Sequence, residues 1–276
     1  MSDAIANPLI ESVAADQEFW EARAKMAPFS SGYTDPSVEQ LEWNAIQRAI
    51  RTYAAGHSDP SVLEIGCHVG YTTKKLHELM QPSHYDALDI SPGSVEMARH
   101  YSERHGYREV NFLTASATAI PLEEAACDLL FSIRCIQNIQ SADGQADAFA
   151  EASRLLKPGG LAVLVENREE ELGRLNRLRE AADLDPIGQP RHTRFLVWSE
   201  LSEQVSRDFE VVETNFFASA YYFGTRFAKW LNPAEEATEL NSPHNLFYRE
   251  MIQGSFRLAL GPALIVLRKR ANKGVR

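Results

Sequence analysis

Cysteine is scarce, with three residues in 276. Cys67, Cys127 and Cys135 sit in apolar surroundings without C-x-x-C spacing, which excludes a disulfide framework, argues against a zinc site and points to a reducing cytosol. Basic charge is also short. Lys+Arg 28 against Asp+Glu 38 leaves a net charge of -10, and that disfavours nucleic acid or an anionic membrane as a partner, because basic surface supplies most of such affinity. Long apolar runs are absent too. The strongest, Leu258–Leu267, is broken by Gly261-Pro262 and falls short of the roughly 20 residues a membrane span needs. Met1-Ser2-Asp3-Ala4 begins no basic stretch leading into an apolar core, so no signal peptide is expected. There is no internal repeat and no low-complexity tract. What remains is ordinary globular usage, 44% hydrophobic and 24% charged, with chain enough for one large core or one core with a cap. The expectation is a cytoplasmic protein with no membrane partner.

Residues 1–56 read as a helical lid. Glu18–Met26 and Glu39–Ala54 are helical stretches separated by the loop composition Pro28-Phe29-Ser30-Ser31-Gly32, and Asp35-Pro36 supplies a helix start. From 57 to 170 the pattern changes to short apolar runs alternating with amphipathic stretches. Strands are expected at Ser61–Ile65, Tyr85–Ile90, Val110–Leu113, Asp128–Ile133 and Leu161–Glu166. Helices lie between them, one begun by Ser91-Pro92 and another, Gln145–Leu156, stopped by Lys157-Pro158-Gly159-Gly160. Such alternation means a parallel sheet covered on both faces. Residues 171–276 hold the rest of the sheet and a substrate cap. Arg168–Ala182 reads as a charged, exposed helix and Glu200–Ser206 as a short one, while strands at Phe209–Phe217 and Ala263–Lys269 bracket an insertion of about forty residues.

In a sheet of this kind ligands bind at the carboxyl ends of the strands, where strand order reverses. The best-specified end is Glu64-Ile65-Gly66-Cys67-His68-Val69-Gly70, in which Gly66 allows a sharp turn and Gly70 close packing or ligand approach. Asp89 ends the second strand, and a carboxylate there can accept both hydroxyls of a ribose. A dinucleotide cradle is poorly supported, because the Gly-x-Gly-x-x-Gly it needs is missing: neither 68 nor 71 is glycine.

Over residues 60–166 the chain resembles the class I S-adenosylmethionine-dependent methyltransferases. Val62–Gly70 looks like their first motif and Leu155-Leu156-Lys157-Pro158-Gly159-Gly160-Leu161 like a frequent later one. The resemblance implies an α/β, Rossmann-like, doubly wound sheet of seven mainly parallel strands and S-adenosyl-L-methionine as cofactor. It implies that Glu64, Gly66, Cys67 and Gly70 surround the methionine part. Asp89 would hold the ribose, Ile90 would pack on adenine, Ser116 and Ala117 would lie along the ring, and Ser132 and Ile133 would line the methyl-donor end. Two residues depart from the family pattern: His68 replaces the middle glycine, and Ser116 stands where many relatives carry an acid.

A sulfonium methyl is already activated, so the protein must chiefly align a nucleophile with it, which supplies roughly 7–11 kcal/mol in favourable cases. An alcohol acceptor also needs a base. Candidates on the acceptor side are His192 as base, with Glu166 and Asn167 in reserve, Arg134 as an anion clamp and Asn138 as an orienting amide. Each has a structural alternative: a surface loop for His192, an ion pair for Arg134, a turn cap for Asn138. The aromatic group Phe216, Phe217, Tyr221, Tyr222, Phe223, Phe227 and Trp230 is read first as core packing of the cap. No metal is called for, since the His, Asp and Glu residues show no ligand spacing. The acceptor is expected to be a small-molecule or sugar hydroxyl, the sugar resting on a weaker resemblance of Ser132–Ile139, Leu175–Arg179, Arg191-His192 and Tyr221–Arg226 to methyltransferases of polysaccharide gene clusters. The alternatives are N-methylation of a small amine metabolite and a non-catalytic cofactor-binding module.

Overall fold

The computed structural model describes residues 13–26, 35–231, 243–251 and 258–271. The expected loop Pro28–Gly32 and part of the late insertion lie outside them. Strands β1 (Ser61–Ile65), β2 (His84–Asp89), β3 (Val110–Thr114), β4 (Cys127–Ile133), β5 (Leu156–Glu166), β6 (Phe209–Asn215) and β7 (Ala263–Lys269) form one sheet in the order β3-β2-β1-β4-β5-β7-β6. Only β7 runs antiparallel to its neighbours. The expected doubly wound, mainly parallel seven-stranded sheet is what forms.

Both faces of the sheet are buried, and the period of two along each strand divides its side chains between two cores. In β5, Leu161, Val163 and Val165 join the core beneath helices α2 (Pro36–Tyr53), α3 (Tyr71–Met80) and α4 (Pro92–His105). Ala162 and Leu164 join the opposite core, beneath α5 (Ala142–Leu155) and α7 (Trp198–Asp208). Local chemistry starts the helices as the sequence suggests. Asp35 accepts from the amides of Ser37 and Val38 at 3.0 and 3.3 Å ahead of Pro36. Ser91 Oγ accepts from the Ser94 amide at 3.1 Å.

Two expectations are corrected. Lys157–Gly160 is not a stop between helix and strand: α5 passes straight into β5, and the four residues form a bulge between the pairs Cys127–Leu156 and Leu129–Leu161. Gly160 is required there, since a Cβ would lie 2.9 Å from the Asp128 and Lys157 carbonyl oxygens. Helix α6 (Glu169–Ala181) is not an exposed face, because Leu175 and Glu171 are buried. Leu175 packs with Phe227 and Leu260 in a third, smaller core that ties α6 to the insertion. That insertion holds helices α8 (Ser219–Arg226), α9 (Ala228–Leu231) and α10 (Pro243–Glu250). Its aromatics divide: Phe217, Tyr221 and Phe227 are core, Tyr222 faces a cavity, and Trp230 is exposed.

Candidate functional site

Strand order reverses between β1 and β4, and a cavity of about 770 Å³ opens beside that point, above the carboxyl ends of the strands. Gly66, Asp89, Ile90, Ser116, Ala117 and Ile133 line it from the sheet, and Arg134, Asn138 and His192 line the side under the cap. Gly66 has a left-handed backbone (φ +80), and a Cβ on it would meet Cys135 Cβ and Sγ at 2.6 Å. Any side chain is therefore excluded twice. Gly66 and Cys67 donate their amides to the Leu88 carbonyl at 2.7 and 2.9 Å, which draws the β1 tip onto β2. Asp89 completes that junction. Its carboxylate accepts from the His68 amide and the Ser91 amide, both at 2.9 Å. Burial raises its pKa, and these amides hold it down in part. His68 takes the left-handed backbone (φ 48) that the family's glycine would supply. It lines the cavity, and burial, reinforced by the charge of Arg23, pushes its pKa down to about 4.

Four of the expected residues stand behind this wall. Glu64 is buried beneath it, accepting from Tyr85 Oη at 2.9 Å, and burial lifts its carboxyl to about 7. Cys67 is buried. Gly70 starts α3 and sits against α4, where a Cβ would be 3.3 Å from Ala98 Cβ. Ser132 points to Glu166, donating to it at 2.9 Å. Neither Glu64 nor Ser132 lines the cavity; alternation along β1 and β4 sends them to opposite faces of the sheet.

Glu166 emerges as an organiser. Besides Ser132 Oγ, it accepts from the amides of Cys135 and Ile136 on Oε1 at 3.2 and 3.0 Å, and of Gln137 on Oε2 at 3.1 Å. With both oxygens so used beneath the loop, it is not the reserve base the sequence suggested. The loop it shapes carries Arg134, whose amide donates to Val165 O at 2.7 Å and whose guanidinium stands 3.6 Å from the buried Glu42 carboxylate. Asn138 Nδ2 donates to Arg134 O at 2.7 Å, so Asn138 braces this loop as well as lining the cavity. Asn167 lines the cavity with its amides on Gln137 Oε1.

Helix α1 (Val13–Met26) borders the cavity and is held there by contacts no local pattern announces. Glu21 accepts from Ser91 Oγ at 2.6 Å and from the Gly93 amide at 2.8 Å, fastening α1 to the start of α4. Those two bonds lower the Glu21 pKa, and its carboxylate also suits the positive end of the α4 dipole. On the same helix, Phe19 stacks on the His192 ring at 5.3 Å and Trp20 meets it edge-on at 5.5 Å. Asp16, Trp20 and Arg23 line the cavity from the same helix. Glu21→Ala is expected to free this helix, raising amide exchange across residues 16–25 and speeding release of a bound cofactor several-fold; unchanged exchange would show that the latch is elsewhere.

Among the described residues no helix is long and apolar enough to cross a membrane, and no group of three His, Cys, Asp or Glu side chains is placed to hold a metal ion. A sheet in this order, with a crevice at its reversal point, has the architecture of a doubly wound α/β fold that takes ligands at its strand ends. Residues 62–160 match the family described as a methyltransferase domain. The chain is 28% identical over 142 residues to a malonyl-[acyl-carrier protein] O-methyltransferase of Hahella chejuensis, covering 51% of this chain and 47% of that one. To the protein of the same name from Serratia marcescens it is 31% identical over 136 residues, covering 47% and 49%. The match thus spans about half the length of these relatives. The fold is shared over greater length with geranyl diphosphate C-methyltransferase of Streptomyces coelicolor, at TM-score 0.59 and 13% identity over 96% of this chain and 100% of that one.

Proposed function

We propose that this protein moves the methyl group of S-adenosyl-L-methionine to a small-molecule acceptor bound under the cap. The observation that carries this reading is the continuity of one cavity from Asp89 and Gly66, past Arg134 and Asn138, to His192. Its sheet side suits an adenosyl group. Asp89 offers a carboxylate to ribose hydroxyls, Ile90, Ala117 and Ile133 form an apolar wall, and Gly66 borders the crevice, its missing Cβ leaving room for Cys135 beside it. When bound, the cofactor supplies an electrophilic methyl group.

The chain's own work is then positioning, water exclusion and, for an alcohol, proton removal. Helix α1 lays Trp20 along the cavity and so narrows its access to water. His192 is held between Phe19 and Trp20, and burial, together with the charge of Arg23, lowers its pKa. A neutral imidazole near neutral pH is the form that accepts a proton. The acceptor atom in this reading is a hydroxyl oxygen, of a sugar or another small molecule. The names of the relatives add carboxyl oxygen as a second acceptor, which would need no base.

The test is incubation with methyl-labelled cofactor and a panel of alcohols, sugars, amines and carboxylic acids, with products read by mass spectrometry. For a hydroxyl acceptor, His192→Ala is expected to lower turnover on the order of 10²-fold or more, the usual contribution of a general base, with cofactor affinity nearly unchanged. Undiminished turnover would place the base elsewhere or dispense with it. Tight cofactor binding without product from any acceptor would favour a binding module instead.

A further inference from the structure

Under the cap the cavity carries a positive charge, Arg226, that no carboxylate among the described residues pairs with, Glu171 in the same lining being engaged by Arg168 and Arg174. Arg226 ends α8 and lines the cavity beside Tyr222. Its guanidinium carbon lies 4.6 Å from the centre of the Tyr222 ring, and Nη1 donates to Thr225 Oγ1 at 2.8 Å. Among the described residues no carboxylate comes within ion-pair distance of Arg226, and the Tyr222 hydroxyl has no hydrogen-bond partner. The neighbouring charges are of the same sign or already engaged. Arg134 stands near Tyr222, with Glu42 as its own partner. Arg179 gives its guanidinium to the Arg226 carbonyl, and its pKa is lowered by burial and by the Arg226 charge, with Asp185 opposing. Asp35 is occupied by Tyr221 Oη at 3.0 Å and by two amides of α2. The carboxyl end of α8 offers only about half a negative charge. A half-buried guanidinium with spare donors, next to a free phenol, is a site that binds a planar or tetrahedral oxyanion through several hydrogen bonds at once.

We propose that the hydroxyl-bearing acceptor also carries an oxyanion, a carboxylate or phosphate ester, on an apolar body, its charged end resting on Arg226 and Tyr222 Oη while Leu172 and Ile187 line the space for the rest. This rests on the methyltransferase reading and names its substrate class.

The protein loaded with S-adenosylhomocysteine is titrated by calorimetry with hexanoate, hexyl phosphate and the neutral ester methyl hexanoate. At least one anion is expected to bind ten or more times tighter than the ester, and the tighter of the two identifies the head group. Arg226→Gln should remove that preference, Arg226→Lys should keep part of it, and Tyr222→Phe, which deletes only the hydroxyl, should weaken the anion several-fold. All three should hold S-adenosylhomocysteine as the unaltered protein does, which also reports that they fold. Equal binding of the ester, binding of neither anion, or an Arg226→Gln protein that keeps the preference overturns the proposal. Anion binding with no methylation of any acceptor in the panel would leave this site standing and remove the methyltransferase reading instead.

Discussion

Asp89→Ala is expected to weaken S-adenosylmethionine binding by more than tenfold in calorimetry, with cooperative unfolding retained. A carboxylate at the tip of β2 can accept two ribose hydroxyls, and a hydrogen bond to a charged group contributes about 1.5–3 kcal/mol. Even one such bond exceeds the 1.4 kcal/mol that makes a factor of ten. Asp89 also holds the amides of His68 and Ser91, so part of the loss would come through the loop. Asp89→Asn separates the two contributions, since it keeps one acceptor oxygen and puts an N–H donor in place of the other. An intermediate affinity is expected for it. Unchanged affinity in Asp89→Ala would remove this residue from the cofactor site.

Glu166→Ala should cost the fold most. It orphans three backbone amides and the Ser132 hydroxyl in a buried loop. At about 1–3 kcal/mol for each unsatisfied donor, less what relaxation recovers, a loss of about 3–5 kcal/mol follows. That lowers the melting temperature by roughly 10 °C in a chain of this size, and it loosens Arg134 and Asn138 with it. Glu166→Gln tests the ionisation. Burial lifts the folded Glu166 carboxyl from 4.5 to about 7, so between those values the folded state keeps a proton that the unfolded chain has released. The stability this contributes is complete below 4.5 and is lost as pH rises through about 7. Glutamine has no such proton. The stability difference between the unaltered protein and Glu166→Gln should therefore shrink as pH rises across that interval. Glu64, lifted likewise, acts in both proteins and cancels. A difference that stays flat with pH would contradict the assignment.

Most of the sheet is legible in the sequence because both of its faces are buried. Ser61–Ile65 and Ala263–Lys269 form strands with the bounds their apolar runs suggest. The helix starts at Asp35-Pro36 and Ser91-Pro92 are legible as well, since capping is a contact over two or three residues. Lys157-Pro158-Gly159-Gly160 misleads because its composition suits a turn and a bulge equally, and only pairing with β4 decides between them. Helix α6 misleads because its buried stripe is narrow and the partners of Leu175, Phe227 and Leu260, are remote in the chain. In the site, the crevice residues Gly66 and Asp89 are marked by their places at strand ends. Glu21, Phe19 and Trp20 are not, because what they do is contact Ser91 and His192 some 70 and 170 residues away. Arg226 enters the sequence reading only as the end of the Tyr221–Arg226 stretch; what sets it apart is the lack of a partnering carboxylate among the described residues, which a sequence does not display. Glu166 could have been found. A lone carboxylate closing an apolar strand beside a loop rich in free amides needs a partner, and the amides are it.

The central claim is that the tips of β1 and β2 grip one adenosyl group, and a crystal structure with S-adenosylhomocysteine tests it most directly. The account predicts both ribose hydroxyls within hydrogen-bond distance of Asp89, the adenine against Ile90 and Ala117, and the sulfur facing the space between Asn138 and His192. A ligand seated elsewhere, or one whose ribose turns away from Asp89, would contradict it.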